Sequence, residues 1–276
     1  DETRDDSIFK AWSFAGALLI PPMRITPSEW AEENIAVTDG DRQGMIRFDR
    51  GFEYQVDIIN TFFGPFEPGE YRRVGVCFKG AQSGVTTLCQ IGLIAWTTHY
   101  KVSSFHLLPR ECDAKDKAKN MSEMIEANPE LANKFKKSQA RIRKSKAGQT
   151  LRVPYSNSQS ELKNWQGGIG VFDEVDDLER KDHDSVAMAK MRMGSYRRRV
   201  EIYIGTPTYP DYGIHQVWKD SDQRYYHIPC PICDADQVLS FEGNIEFDNS
   251  LETDEQKASS ARFKCQECDQ TWDHRL

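Results

Sequence analysis

The chain has 276 residues, 38% of them hydrophobic, and a formal net charge of −7. That suffices for one large core and a small satellite domain, and no apolar run approaches the roughly 20 residues of a bilayer span, which excludes a membrane-spanning helix. The acidic balance argues against a protein that coats nucleic acid over its whole surface, yet it leaves room for a local basic path.

No secretory signal stands at the N-terminus, and a start at Asp1 rather than Met suggests a fragment whose C-terminus is cut as well. Residues 8–20 are apolar at helical spacing, and Thr26-Pro27-Ser28-Glu29-Trp30 offers a helix start with proline in its first turn. Residues 1–50 therefore read as a lead-in, either an arm packed on the core or a segment that docks a partner. Residues 51–63 carry Phe52, Tyr54, Val56, Ile58, Ile59 and Phe62, the pattern of an amphipathic helix closed by Gly64-Pro65. Within it, Tyr54-Gln55 is an aromatic–glutamine pair of the kind that contacts adenine in several ATPase classes. A merely solvated glutamine is the plainer alternative.

Residues 74–78 read as a short buried strand. It enters Lys79-Gly80-Ala81-Gln82-Ser83-Gly84-Val85-Thr86-Thr87, followed by the apolar helix pattern Leu88, Ile91, Ile94 and Ala95. Strand, small-residue loop and helix make a phosphate-binding geometry, because loop amides and the helix N-terminus point at one spot and favour an anion there. The usual pattern is G-x-x-x-x-G-K-[ST]. Here Gly84 and Thr86 keep their places, Val85 replaces the lysine, and Lys79 at the front of the loop can supply the missing charge.

Residues 102–108 form the next expected strand and 113–127 a charged helix. Residues 133–153 then hold eight Lys/Arg and no acid. This suits an electrostatic track for a phosphate backbone, with a solvated basic face as the alternative. Further short strands are expected at 150–154, 169–173 and 200–204, the last followed by Gly205-Thr206-Pro207-Thr208. Strands alternating with helices imply an α/β fold with a mostly parallel sheet and ligands at the strands' carboxyl ends.

The strand at 169–173 ends in two adjacent carboxylates. Asp173 at its tip would hold Mg2+ opposite the Thr86 hydroxyl, and Glu174 beyond it can polarise a water for in-line attack on a γ-phosphate. Together with the loop at 79–87, this points to ATP hydrolysis. Asp176 and Asp177 read as surface acids or a helix start.

Of seven cysteines, four form two C-x-x-C pairs, Cys230/Cys233 and Cys265/Cys268. Each knuckle can present two thiolates, and two knuckles complete a closed tetrahedral site, so a structural Zn2+ is expected. A redox dithiol is the alternative for either pair. Paired C-x-x-C with scattered single thiols fits a reducing compartment. His227 and His274 read as surface histidines, and residues 248–260 as an acidic loop.

Taken together, these motifs resemble the large terminase subunit of tailed bacteriophages, and most closely its lambda-like branch, which also carries its loop lysine at the front. The resemblance covers roughly residues 50–276. It implies a P-loop NTPase of the additional-strand, catalytic-glutamate type with helices on both sheet faces, plus a C-terminal zinc ribbon. The implied domains are a lead-in over 1–50, an ATPase domain over 51–225 and the ribbon over 226–276. The implied function is an Mg2+-dependent ATPase motor that moves double-stranded DNA into a procapsid in the host cell cytoplasm. Its implied partners are the small terminase subunit, the capsid portal and further copies in a ring. By that resemblance Lys79 binds the β/γ-phosphates, Thr86 and Asp173 the magnesium, Glu174 is the catalytic base, and Gly205-Thr206-Pro207-Thr208 couples hydrolysis to DNA movement. The family's nuclease domain is expected of a longer parent protein. Arg110, Arg143 and Arg197-Arg198-Arg199 are candidates for a charge-stabilising arginine. Rival readings are a helicase or remodelling ATPase on the same core, and a catalytically silent DNA-binding module.

Overall fold

The computed structural model describes residues 25–37, 43–49, 53–80, 83–136, 141–179 and 182–273. The helix expected at 8–20, together with Phe52, Ala81, Gln82, Lys137 and His274, lies outside them. The chain divides into two units, residues 1–221 and 222–276.

In the first unit, helix α1 (Pro27–Asn34) begins at a reciprocal cap. Thr26 Oγ1 accepts the Glu29 N–H, and the Glu29 carboxylate accepts the Thr26 N–H. Its Trp30 and Ala31 are buried in the same cluster as residues of α2 (Tyr54–Phe63) and α3 (Val85–Thr98), so this part of the lead-in belongs to the core. A two-stranded ladder, β1 (Ala36–Val37) and β2 (Gly44–Met45), follows α1.

The main sheet contains β3 (Arg72–Phe78), β4 (Ser104–Leu107), β5 (Ile142–Lys144), β6 (Thr150–Arg152), β7 (Ile169–Asp173) and β8 (Arg199–Gly205), in the order β3-β8-β7-β4-β6-β5. All neighbours are parallel except β5, which runs antiparallel to β6 at one edge. Strand β8 stands between the strand that enters the phosphate loop and the strand that ends in the two acids. This is the additional strand the resemblance implies.

Strand alternation explains the layers. On β8, Val200, Ile202 and Ile204 face a cluster shared with α1, α2, α3 and α4 (Glu111–Glu126), whereas Tyr203 faces a second cluster. That second cluster holds Ala189 of α6 (Ser185–Met191) and Ile214 of α7 (Gly213–Lys219), with Phe105, Trp165 and Phe172 between them. Helix α3 is buried almost all round, as its uniformly apolar sequence requires of a central element.

The basic stretch is more than an open track. After the short α5 (Pro129–Ala132) it forms the β5–β6 hairpin. Arg141 pairs with Glu161 at 2.9 Å and Arg143 with Glu126 at 2.8 Å. Acids distant in sequence neutralise part of what looked like unopposed charge.

The second unit is built on two like knuckles. The first joins β9 (Ile228–Pro229) to β10 (Asp236–Gln237). The second joins β12 (Arg262–Lys264) to β13 (Thr271–Trp272), with β11 (Ile245–Glu246) adding a third strand to that sheet. Short α8 (Phe241–Asn244) and α9 (Asp254–Ser260) complete it. Helix α9 corrects the loop expected at 248–260. Thr253 and Gln256 form a capping box there, so a polar segment becomes helical without burying any side chain.

Candidate nucleotide site and cysteine centre

The two halves of the expected nucleotide site meet at the carboxyl ends of β3 and β7. Lys79 Nζ donates to Glu174 Oε1 at 2.6 Å and to Thr86 Oγ1 at 3.2 Å, and lies 3.3 Å from Asp173 Oδ1. Parallel register brings this about, because β8 pairs with β3 on one side and β7 on the other and sets both strand tips side by side. Burial works against the Lys79 charge, but Asp173 and Glu174 outweigh it and hold the ammonium above its ordinary pKa.

Asp173 is 1% exposed. Burial alone would raise its pKa, yet the His106 ring and the Lys79 ammonium hold it below the usual carboxylate range. His106, itself fully buried on β4, meets Asp173 Oδ2 through Nε2 at 3.1 Å. With the carboxylate ionised, that ring nitrogen is the donor. Sequence reasoning passed over His106; a polar residue inside the apolar run Phe-His-Leu-Leu was the available signal. Glu174 follows in a left-handed conformation (φ 50°, ψ 57°), and its N–H bonds Asp173 Oδ1 at 3.0 Å. Non-glycine residues hold such a conformation at a cost of about 1–3 kcal/mol, most often at functional sites.

Gly84 caps α3 in a left-handed conformation (φ 75°), and a Cβ there would lie 2.6 Å from Gln55 Nε2. Tyr54 and Gln55, expected as adenine contacts, both reach the loop itself. The Tyr54 hydroxyl and the Gln55 amide donate to the Ser83 carbonyl at 2.7 and 3.1 Å. Val85 and Thr86 open α3 with Thr87, while Gly80 lies in the loop.

The turn after β8 is tied to both halves. Gly205 O accepts the Lys79 N–H at 3.1 Å, and Thr206 Oγ1 donates to Lys79 O at 3.1 Å. Thr208 donates its N–H and its hydroxyl to Asp176 Oδ2 at 2.8 and 2.6 Å, while Pro207 between them is exposed. Asp176, read as a surface acid or a helix start, lies in a short 3-10 turn (Val175–Asp177) and bridges the acidic strand to the turn after β8. Its other oxygen accepts the Ile214 N–H of α7 at 2.7 Å.

The arginine candidates all have local partners. Arg110 pairs with Asp113, Arg143 with Glu126, and Arg199 lies 3.5 Å from Glu201. Arg197 and Arg198 lie over Tyr71 and Phe66.

These donors suit a nucleoside triphosphate with its metal. The Ser83 hydroxyl is buried without a hydrogen-bond partner among the described residues, and the Thr86, Asp173 and Glu174 oxygens already converge on one cation, the Lys79 ammonium. Hard oxygen donors of this kind favour magnesium.

In the second unit, the four Sγ atoms of Cys230, Cys233, Cys265 and Cys268 lie within 4.8 Å of one another. Cys230–Cys268 and Cys233–Cys265 stand at 3.9 and 3.7 Å. Thiolates around one zinc at about 2.3 Å are separated by about 3.8 Å, so the set fits that ion. Both knuckles repeat one backbone pattern. Asp234 N–H bonds Cys230 O and Asp269 N–H bonds Cys265 O, with each aspartate in the left-handed region. Backbone N–H groups of Cys268 and Glu267 help hold the Cys265 thiol down, to about 7.

Residues 47–276 match the family model described as the phage terminase large subunit gpA, ATPase domain. Among solved structures, the large terminase of bacteriophage HK97 superposes with a TM-score of 0.58 at 13% identity, covering 72% of this chain and 41% of that one. The large-terminase ATPase domain of Thermus phage P74-26 gives 0.45 at 12% identity, covering 70% of this chain and 83% of that one. No curated protein sequence matches. At such identities the HK97 likeness speaks for the fold, and the chain spans less than half of that terminase's length. Among the described residues, no helix is long and apolar enough to cross a membrane.

Proposed function

The chain belongs to the ATPase-domain family of the phage terminase large subunit gpA, and from that premise we propose that it is the ATP-hydrolysing motor portion of a terminase that moves double-stranded DNA into a procapsid. The observation that carries this reading is the convergence of Lys79, Thr86, Asp173 and Glu174, with the Gly205–Thr208 turn bonded to Lys79 on one side and Asp176 on the other. In this reading Lys79 leaves the two carboxylates to meet the β/γ-phosphates, assisted by Ser83 and the amides of residues 80–87. Thr86 and Asp173 hold the magnesium, with His106 fixing the Asp173 carboxylate. The ion would neutralise charge on the phosphate oxygens. Once released from Lys79, Glu174 is free to accept the proton of the attacking water. The same departure pulls on Lys79's backbone bonds to Gly205 and Thr206, which offers a route from nucleotide state to the turn at 205–208 and so to DNA. Tyr54 and Gln55, both bonded to the Ser83 carbonyl, brace the loop and would be the residues to contact an adenine.

Zn2+ held by Cys230, Cys233, Cys265 and Cys268 fills a structural role. In the cell the motor would work as a ring of copies, with the small terminase subunit and the capsid portal as partners in the host cytoplasm.

The test is Mg2+-ATP turnover with and without duplex DNA, for this chain beside Lys79→Ala and Glu174→Ala. The reading expects ATP binding kept but hydrolysis lost in Glu174→Ala, both weakened in Lys79→Ala, and stimulation of the unaltered chain by DNA. Equal turnover in all three would mean that the site lies elsewhere.

A further inference from the structure

A second polar cleft, of about 590 Å3, opens at the amino end of the parallel strands, away from the tips that carry Asp173 and Glu174. It is lined by Arg152 of β6, Arg192 at the end of α6, and Asn164, Gln166, Ser195 and Tyr196. No carboxylate lines it among the described residues. The Nε atoms of Arg152 and Arg192 are buried, and neither has a hydrogen-bond partner within the described protein. Glu161, the acid whose charge reaches Arg152, is held by Arg141 at 2.9 and 3.2 Å. Burial accordingly pushes the Arg152 guanidinium below its ordinary value. Folded proteins seldom bury a charged donor without giving it an acceptor.

We infer that this cleft binds the phosphate groups of a nucleic-acid backbone, with Arg152 and Arg192 as the two guanidinium contacts. The chemistry of the lining selects the ligand. Guanidinium N–H groups only donate, and phosphate oxygens only accept, so a fork-shaped donor matches a phosphate better than it matches a neutral polar group. The cleft is larger than one phosphate needs. Lys101, Arg197 and Arg198, all exposed, stand at the same end of the sheet, just before β4 and β8, and would offer further cationic contacts to a longer ligand. A polymer with regularly spaced charges uses such contacts, and a lone anion does not. That the polymer is duplex DNA rests on the motor reading above.

The test is duplex binding by fluorescence anisotropy across a salt series, without nucleotide, for the full chain and for the double variant Arg152→Gln/Arg192→Gln. The expected result is weaker binding to every sequence and a log K against log salt slope shallower by about 2, roughly 0.9 for each lost phosphate contact. Arg152→Lys/Arg192→Lys should recover much of the slope by keeping the charges. Because both arginines are partly buried, Ser195→Glu serves as a second variant. It puts a carboxylate at the rim without disturbing a buried group, and should also weaken the duplex.

An unchanged slope in the glutamine variant together with unchanged binding in Ser195→Glu overturns the inference. So does inorganic phosphate that binds the unaltered chain in an Arg152-dependent way while duplex affinity is indifferent to both variants, which would mark a small-anion site. Lys79→Ala, included in the series, should bind duplex as the unaltered chain does. A Lys79→Ala protein that still hydrolyses ATP would sink the assignment of the nucleotide site to Lys79 and leave the cleft standing.

Discussion

Thr208 is held by Asp176 through two bonds to one oxygen, from its N–H at 2.8 Å and from its hydroxyl at 2.6 Å. The strand that ends in the candidate magnesium ligand and base is thereby tied to the candidate coupling turn within three residues. Gly213 lets α7 join the same junction. Its φ is 53°, and a Cβ there would lie 2.0 Å from Asp176 Oδ1.

Asp176→Ala should therefore uncouple rather than inactivate. Basal ATP turnover is expected to stay within about threefold, while stimulation by duplex DNA is lost. Loss of the hydrogen bonds should cost about 1 kcal/mol of stability, since the junction is near water. The ratio of DNA-stimulated to basal turnover is the readout; a fall in both by the same factor would mean that Asp176 merely supports the fold.

The 2.6 Å bond between Lys79 and Glu174 makes a prediction about affinity as well as rate. In Glu174→Gln, hydrolysis should drop by about 10²–10⁴, the usual worth of a general base. ATP should at the same time bind more tightly, because Lys79 no longer has to leave a charged partner. Equilibrium binding of a fluorescent ATP analogue checks this, and weaker binding in the glutamine variant would show that the pair does not compete with phosphate.

Glu201 gives a pH dependence. Its side chain is 2% exposed and is met by Arg72 at 2.9 Å, with Lys190 and Arg199 each at 3.5 Å. Burial raises its pKa, but the Arg72 bond and the surrounding cations prevail and lower it. A depressed folded value means that the ionised form stabilises the native state. That contribution is complete above the unfolded carboxylate value of about 4.3 and is lost as pH falls through the lower folded value. Glu201→Gln should lower the melting temperature near neutrality and flatten its acid decline. Parallel Tm–pH curves for the two proteins would count against this assignment.

The 222–276 unit should not hold its fold without metal. Among its described residues the buried side chains are Cys230, Gln237, Asn244 and Cys265, which is no hydrophobic core. Structural zinc in small domains contributes roughly 10–16 kcal/mol of apparent binding energy. One zinc per chain is expected by elemental analysis, and strong chelation or Cys265→Ser should make this segment protease-sensitive while residues 53–221 stay resistant. A metal-free unit that resists proteolysis equally would point to thiols with another role.

The loop at 79–87, the strand ending at Asp173-Glu174 and the two C-x-x-C knuckles were legible in the chain because each is local: the spacing that makes the chemistry also makes the motif. The alternation of expected strands with helices along the chain likewise foretold a mostly parallel sheet. The partnerships across the sheet were not legible. His106 reaches Asp173, Asp176 reaches Thr208, and Arg141 and Arg143 find Glu161 and Glu126, only because parallel register and helix packing bring distant segments together. A sequence shows which groups are charged and which are apolar, and so decides the elements and the chemistry available. Which donor meets which acceptor, and which arginine Nε is buried without one among the described residues, depends on distances that only the folded chain defines.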